Sequence, residues 1–386
     1  MRPVPEIPVT DPAVLADPFT AYAQVREVSA VAKLTGAGMP PMFAITRHAE
    51  AKAALADPRF VLSEASFLRP PGIPEHCQRY LHTMAEMDGP EHARVRGAAA
   101  PAFSARRTAA MRPAVEVVVE RLLDTLETET DLLLDFAGPL PMEIICELLG
   151  IPESDRPRWR EYGAAVSAGY GPGFIAAIPG IMASAEAAVA ASRTEPNAGI
   201  LSQLLDGPLT ETELVTLVWH LLLAGQTPTN LIGNGVAALF SHPEQLAALR
   251  ANPDLAPRAV EELMRWCGPQ LLTTPRFATE DVDVDGAEIP RGAAMTVAIA
   301  SANRDPRAFD DPDRLDITRP LGAPGHLGFS HGAHFCLGAP LARLQTEIAV
   351  TGLLRRFPDL APARPETVRA PDPGTWRLAE LPVRLR

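Results

Sequence analysis

Proline sets the frame of this chain. The 386 residues include 40 prolines, and because proline has no N–H to give an inner helical turn, it belongs in loops and first turns. Between the prolines, apolar residues recur at helical spacing over 113–127, 211–240, 243–251, 257–266 and 340–357. Most of these stretches open on Pro, Ser, Thr or an acid and close on Gly, Asn or Pro, the signals of helix starts and stops. Two stretches read differently. Residues 41–60 suit a short strand followed by an amphipathic helix, and 278–306 suit short strands around the Asp285-Gly286 turn. The sequence thus predicts a mainly α fold with a minor antiparallel β region. A length prior of roughly 150 residues per domain suggests two or three domains. No repeat, low-complexity tract or Gly/Ser-rich linker divides the chain, so a single domain over 1–386 is expected instead.

Charge and cysteine content narrow the function classes. With a formal net charge of -12, the chain lacks the clustered positive charge that nucleic acid or an anionic membrane requires, and neither is expected as a partner. Cys77, Cys146, Cys267 and Cys336 show neither CxxC nor paired spacing, which points to a reducing, cytoplasmic setting. The amino terminus carries no apolar run of signal-peptide type. No stretch reaches about 18 uninterrupted apolar residues, so the expectation is a soluble protein.

One cysteine stands apart. Residues 328–343 read GFSHGAHFCLGAPLAR, placing Cys336 in a glycine-rich loop directly before a helix that carries proline in its first turn. Near a helix N-terminus, exposed N–H groups favour a thiolate over a thiol. Such a sulfur serves as a nucleophile, a zinc ligand or a haem ligand, and a buried inert thiol is the plain alternative. His331 and His334 lie close enough in sequence to suggest zinc, but a fourth ligand is missing and the spacing fits no common zinc pattern.

The wider pattern of Phe329-x-x-Gly332-x-His334-x-Cys336-x-Gly338 resembles the cysteine-ligand loop of the cytochrome P450 family, most closely its soluble bacterial, actinobacterial-type members. The resemblance runs from about residue 43 to the C-terminus. Glu262 and Arg265, three apart on one helical face, together with Arg314 resemble the family's buried acid–arginine cluster. His92 and Arg96, four apart, resemble its propionate-binding helix face, while Arg276 and His334 match two further propionate partners. The resemblance implies haem b with the Cys336 thiolate as axial ligand, and Phe329, Gly338, Ala224 and Gly225 against the cofactor. It also implies dioxygen as co-substrate and a monooxygenase reaction at a C–H or C=C bond. No redox module accompanies the chain, so a ferredoxin and its reductase are the implied electron donors, with Arg94, Arg106, Arg107 and Arg343 as a candidate landing site.

Within that resemblance, the central helix departs from its pattern. The family usually places an acid and an alcohol after Ala-Gly, whereas this chain reads Ala224-Gly225-Gln226-Thr227-Pro228-Thr229-Asn230. Counted forward, Thr227 takes the acid's place and Pro228 the alcohol's; counted back from 230–235, Thr227 takes the alcohol's place. Neither count leaves a carboxylate. Pro228 has no N–H for the Ala224 carbonyl, so a kink is expected, with Thr227, that carbonyl and water as proton carriers.

The family's pocket segments contribute Phe67, Tyr80, Met84, Met87, Tyr170, Phe174, Leu271 and Leu272 as candidate lining. This apolar set suits a terpenoid, polyketide, macrolide or cyclic peptide. His220 reads either as a polar group of the pocket or as a satisfied core histidine, the second being preferred. A haem-thiolate oxidase that couples, desaturates or rearranges without inserting oxygen, and a non-catalytic haem-bearing sensor or recruitment protein, are the competing readings.

Overall fold

The computed structural model describes residues 4–67, 69, 71–167, 171–322 and 324–386. Helices form where the apolar periodicity places them. Arg112–Asp124, Pro243–Ala251, Ala256–Cys267 and Ala339–Arg356 each carry proline in the first turn, where its fixed φ suits the helix and no hydrogen bond is lost.

The periodic stretch 211–240 divides in two. Glu211–Ala224 starts on a capping box in which the Glu213 N–H donates to Thr210 Oγ1 at 3.2 Å and the Thr210 N–H donates to Glu213 Oε2 at 2.8 Å. It stops at Gly225-Gln226, and Thr227–Ser241 begins with Pro228 in its first turn. Gly225 is needed at this break, because a Cβ there would lie 2.3 Å from Ile145 Cδ1 and 2.4 Å from the Leu221 carbonyl oxygen. Thr227–Ser241 then packs against both Ala256–Cys267 and Ala339–Arg356, with Leu231, Ala238, Leu263 and Ala339 in one buried cluster.

The strands form a mixed sheet to one side of the helices. Six strands run in the order Glu6–Pro8, Val31–Gly36, Met39–Ile45, Ala294–Val297, Arg276–Ala278, Phe60–Val61. Two of their pairings, Glu6–Pro8 with Val31–Gly36 and Met39–Ile45 with Ala294–Val297, are parallel, so the sheet is not purely antiparallel. The expected hairpin is present: Val282–Val284 pairs antiparallel with Ala287–Ile289 across Asp285 and Gly286, both at positive φ.

Pro172–Thr194 is long and apolar enough to cross a membrane by length and composition alone, with a mean hydropathy of 1.7 over its best window. In the fold it lies against Arg156–Ser167 and Glu211–Ala224, and Glu186 on it binds Tyr80 and Arg79.

Candidate active site

A cavity of about 440 Å³ lies between the Cys336 loop and the broken central helix. The loop is held by backbone bonds: the Cys336 N–H donates to the Phe329 carbonyl at 2.9 Å, and the Ala339 N–H to the Cys336 carbonyl at 3.3 Å. Gly332, at φ 76, rests on the end of the His48–Ala56 helix, where a Cβ would lie 2.9 Å from the Leu55 carbonyl oxygen. Phe329 sits beneath the loop with the Arg343 guanidinium 4.4 Å from its ring centre.

Cys336 opens onto the cavity. Its thiol pKa is raised, because burial in this apolar setting outweighs the N–H groups of Gly338 and Ala339 and the charges of Arg96 and Arg343. The helix N-terminus alone does not produce a thiolate. A positive ion at the sulfur is what the remaining balance calls for.

One end of the cavity collects cationic and imidazole groups. Arg276 opens a buried strand and donates from Nη1 to the Leu55 carbonyl at 2.8 Å. Arg96 donates from Nη2 to the Phe335 carbonyl at 2.6 Å. Burial lowers the pKa of both guanidinium groups, and no carboxylate bonds either one. The His92 and His334 rings stack 4.0 Å apart. His334 is pushed down to about 4, chiefly by burial and then by His92 and Arg276. Its Nε2 lies 3.6 Å from Asp88 Oδ1 and is buried without a hydrogen bond. Desolvated donors without a matching anion are costly, so this end suits a dianionic ligand.

Glu262 and Arg265 form a buried bidentate pair, Nε to Oε2 at 2.7 Å and Nη2 to Oε1 at 2.8 Å. Arg314 is not the third cation. Its side chain is exposed, and only its carbonyl faces Arg265, at 3.2 Å. Arg319 takes that place instead, with Nε 3.1 Å from Glu262 Oε2, because the 311–319 loop enters the cluster carbonyl-first. Arg265 Nη1 also bonds the carbonyls of Asn303 and Pro312, tying the helix to the segment before the cysteine loop.

Ala224, Gly225, Thr227 and Pro228 line the opposite wall. Backbone bonds across the break run from the Gly225 N–H to Leu221 and from the Thr229 N–H to Gln226, and neither uses the Ala224 carbonyl. Gln226 is buried away from the cavity, with Ser167 Oγ 3.5 Å from its Oε1 and its Nε2 unpartnered. Among the described residues, no carboxylate lines the cavity.

Of the apolar candidates, Met84 and Leu272 line the cavity. Phe67, Met87, Phe174 and Leu271 do not: Phe174 packs on Trp219, Met87 and Leu271 are core residues, and Phe67 is half-buried elsewhere. Tyr80 is turned toward Glu186. Tyr170 lies outside the described residues. The wall that sequence reasoning missed is the Pro139–Leu149 helix, whose Pro141, Ile144, Ile145 and Leu148 face the cavity; apolar residues at helical spacing carry no mark that separates lining from core. His220 is likewise not a satisfied core residue, since it lines the cavity and bonds no described residue.

Comparison with known proteins places this architecture. A family model described as Cytochrome P450 matches residues 189–376. The cytochrome P450 monooxygenase PikC of Streptomyces venezuelae is 39% identical over 96% of this chain and 92% of its own length. The 6-deoxyerythronolide B hydroxylase of Saccharopolyspora erythraea is 38% identical over 89% of this chain and 90% of its own. The solved structure of the ligand-free P450 monooxygenase TamI superposes with a TM-score of 0.90 at 34% identity, covering 100% of this chain and 95% of that one.

The chain therefore belongs to the cytochrome P450 family. It is a monooxygenase of that family, with haem bound through a cysteine thiolate as cofactor and dioxygen as co-substrate. The cavity fits that group: one thiol with N–H donors beside it, and at one end two guanidinium groups and an orphaned buried imidazole nitrogen for two carboxylates.

Proposed function

We propose that this chain inserts one oxygen atom of dioxygen into a C–H or C=C bond of a mostly apolar secondary metabolite of the polyketide, macrolide, terpenoid or cyclic-peptide kind. The overall change is RH + O2 + two electrons + two protons → ROH + H2O for C–H insertion. Cys336 is the thiolate ligand, His92, Arg96, Arg276 and His334 hold the propionates, and Phe329, Gly338, Ala224 and Gly225 close around the ring. A thiolate-ligated haem supplies the activation of dioxygen. The observation that carries this reading is the single thiol opening into a largely apolar cavity whose far wall is the broken central helix. The hydroxylase of 6-deoxyerythronolide B, named above, supports the polyketide end of the range.

The chain's own residues manage protons. Thr227 lines the cavity, and the Ala224 carbonyl, left without an N–H by Pro228, is free to accept from a water. Thr227→Ala should lower product formed per electron pair several-fold while leaving haem binding intact; unchanged coupling would remove the threonine from proton delivery. The absence of a carboxylate at the break also favours a second reading, oxidation without oxygen insertion. Turnover under isotope-labelled dioxygen decides between them, because only insertion leaves the label in the product.

Electrons arrive from a ferredoxin and its reductase, and the enzyme works as one domain in the cytoplasm. Arg94 and Arg343 of the candidate landing site are committed to Glu213 and Glu261, and Arg107 donates to the Ala198 carbonyl. Arg106 is exposed and bonds no described residue, so Arg106→Glu is the variant that should slow electron transfer from an acidic ferredoxin.

A further inference from the structure

The apolar wall opposite the Cys336 loop contains one polar group in an unusual state. Leu217, His220, Leu221 and Ala224 occupy one face of the Glu211–Ala224 helix and all line the cavity. Ile144, Ile145 and Leu148 line it from the neighbouring helix. Amid these residues the His220 ring makes no hydrogen bond to any described residue. Burial alone pushes its pKa down to about 4, and no charged group acts on it. The cations of the cavity, Arg96 and Arg276, belong to the propionate end.

A neutral imidazole offers one N–H donor and one lone-pair acceptor. Facing the cavity without a protein partner, each is open to a ligand group that takes the place of water. Polar groups elsewhere on the lining differ in standing: Thr273 Oγ1 accepts from the Val297 N–H at 2.9 Å and pairs with Thr296, whereas Gln345 Oε1 is buried without a partner but lies on the Ala339–Arg356 helix, on the Cys336 side.

We propose that His220 is the hydrogen-bond anchor of the substrate, and that the cavity selects an uncharged, mostly apolar molecule presenting a hydroxyl to this ring one helical turn before Ala224. A hydroxyl both donates and accepts, so it matches the ring in either tautomer. A carboxylate does not match: next to a neutral ring, with no cation on this wall, a buried anion stays uncompensated. The inference deepens the reading of the chain as an enzyme of apolar secondary metabolites, and rests on it.

The test uses three probes on one cage: 1-adamantanol, 1-methyladamantane and 1-adamantanecarboxylic acid. Their dissociation constants are measured by calorimetry on haem-loaded protein, as wild type, His220→Phe and His220→Gln. Wild type should bind the alcohol about tenfold tighter than the methyl isostere, the worth of one net hydrogen bond, and bind the acid most weakly. His220→Phe should erase the alcohol preference without weakening the hydrocarbon. His220→Gln, which keeps a donor and an acceptor, should retain part of it and guards against a misfolded Phe variant. If the cages bind but the alcohol preference survives in His220→Phe, or the acid binds tightest to wild type, His220 is not the anchor and the broader reading stands. If no cage binds folded, haem-loaded wild type, the apolar-substrate reading falls and this proposal falls with it.

Discussion

The two walls of the cavity are built on opposite principles. On the cysteine side most polar groups are paired within the protein: the Cys336 N–H goes to Phe329, Arg96 to Phe335, the Leu327 N–H to Asn303 Oδ1, and Arg265 to Glu262 and the carbonyls behind the loop, while the buried His334 Nε2 is left open. On the central-helix side, the Ala224 carbonyl and the His220 ring bond no described residue. The difference teaches where each task resides. A densely bonded wall suits a cofactor held in one geometry, because displacing any member strands another. A wall with unpaired groups is completed by ligand and water, and so it is where substrate and proton path are chosen.

Removing the thiol breaks the first wall at its centre. Cys336→Ala should abolish the far-shifted absorption of the reduced carbonyl complex altogether, measured after haem supplementation; a retained band would sever Cys336 from the iron. Next in size is the layer behind the loop. Glu262→Gln leaves Arg265 buried and under-compensated, and should lower unfolding free energy by about 3–5 kcal/mol in denaturant titrations, with Arg314→Ala near neutral because its side chain is outside the cluster.

Smaller is the loss of one of the groups proposed to hold the propionates. Arg276→Leu should weaken haem retention by about ten- to a hundredfold, the range of one charge-assisted hydrogen bond, read by haem transfer to an apoprotein acceptor. The smallest effect is a pH response at the edge of the loop. Burial raises the Glu261 pKa, but His326 and Arg343 outweigh it and hold the carboxyl at about 2. Arg343 is the firmer partner, with Nη2 at 3.0 Å, whereas His326 Nε2 lies 3.3 Å away without a hydrogen bond. A depressed folded pKa stabilises above the unfolded value of 4.5 and loses that contribution as pH falls toward 2. Stability should drop by about 1–2 kcal/mol across that window after allowance for partial exposure, and Glu261→Gln should flatten the drop.

Much of the bonded wall was legible in the chain. Cys336, His334, His92, Arg96 and Arg276 were picked out by the resemblance to the family's motifs, and all five line the cavity. The open wall was far less so. Behind the cysteine loop the motif singled out Arg314, and only the loop's path shows that the Arg319 guanidinium reaches Glu262 instead. Phe174 and Ile144 are alike in hydropathy, yet one packs on Trp219 and the other faces the cavity.

By itself, the sequence determined the helical framework, because that follows from local spacing, and its motifs carried the resemblance that singled out the family and Cys336. Tertiary structure decided the third cation of the buried cluster, the lining of the apolar wall and the unpaired state of His220. Those depend on which atoms distant segments bring together, and a side chain's burial and partners are properties of that assembly, absent from any single stretch of chain.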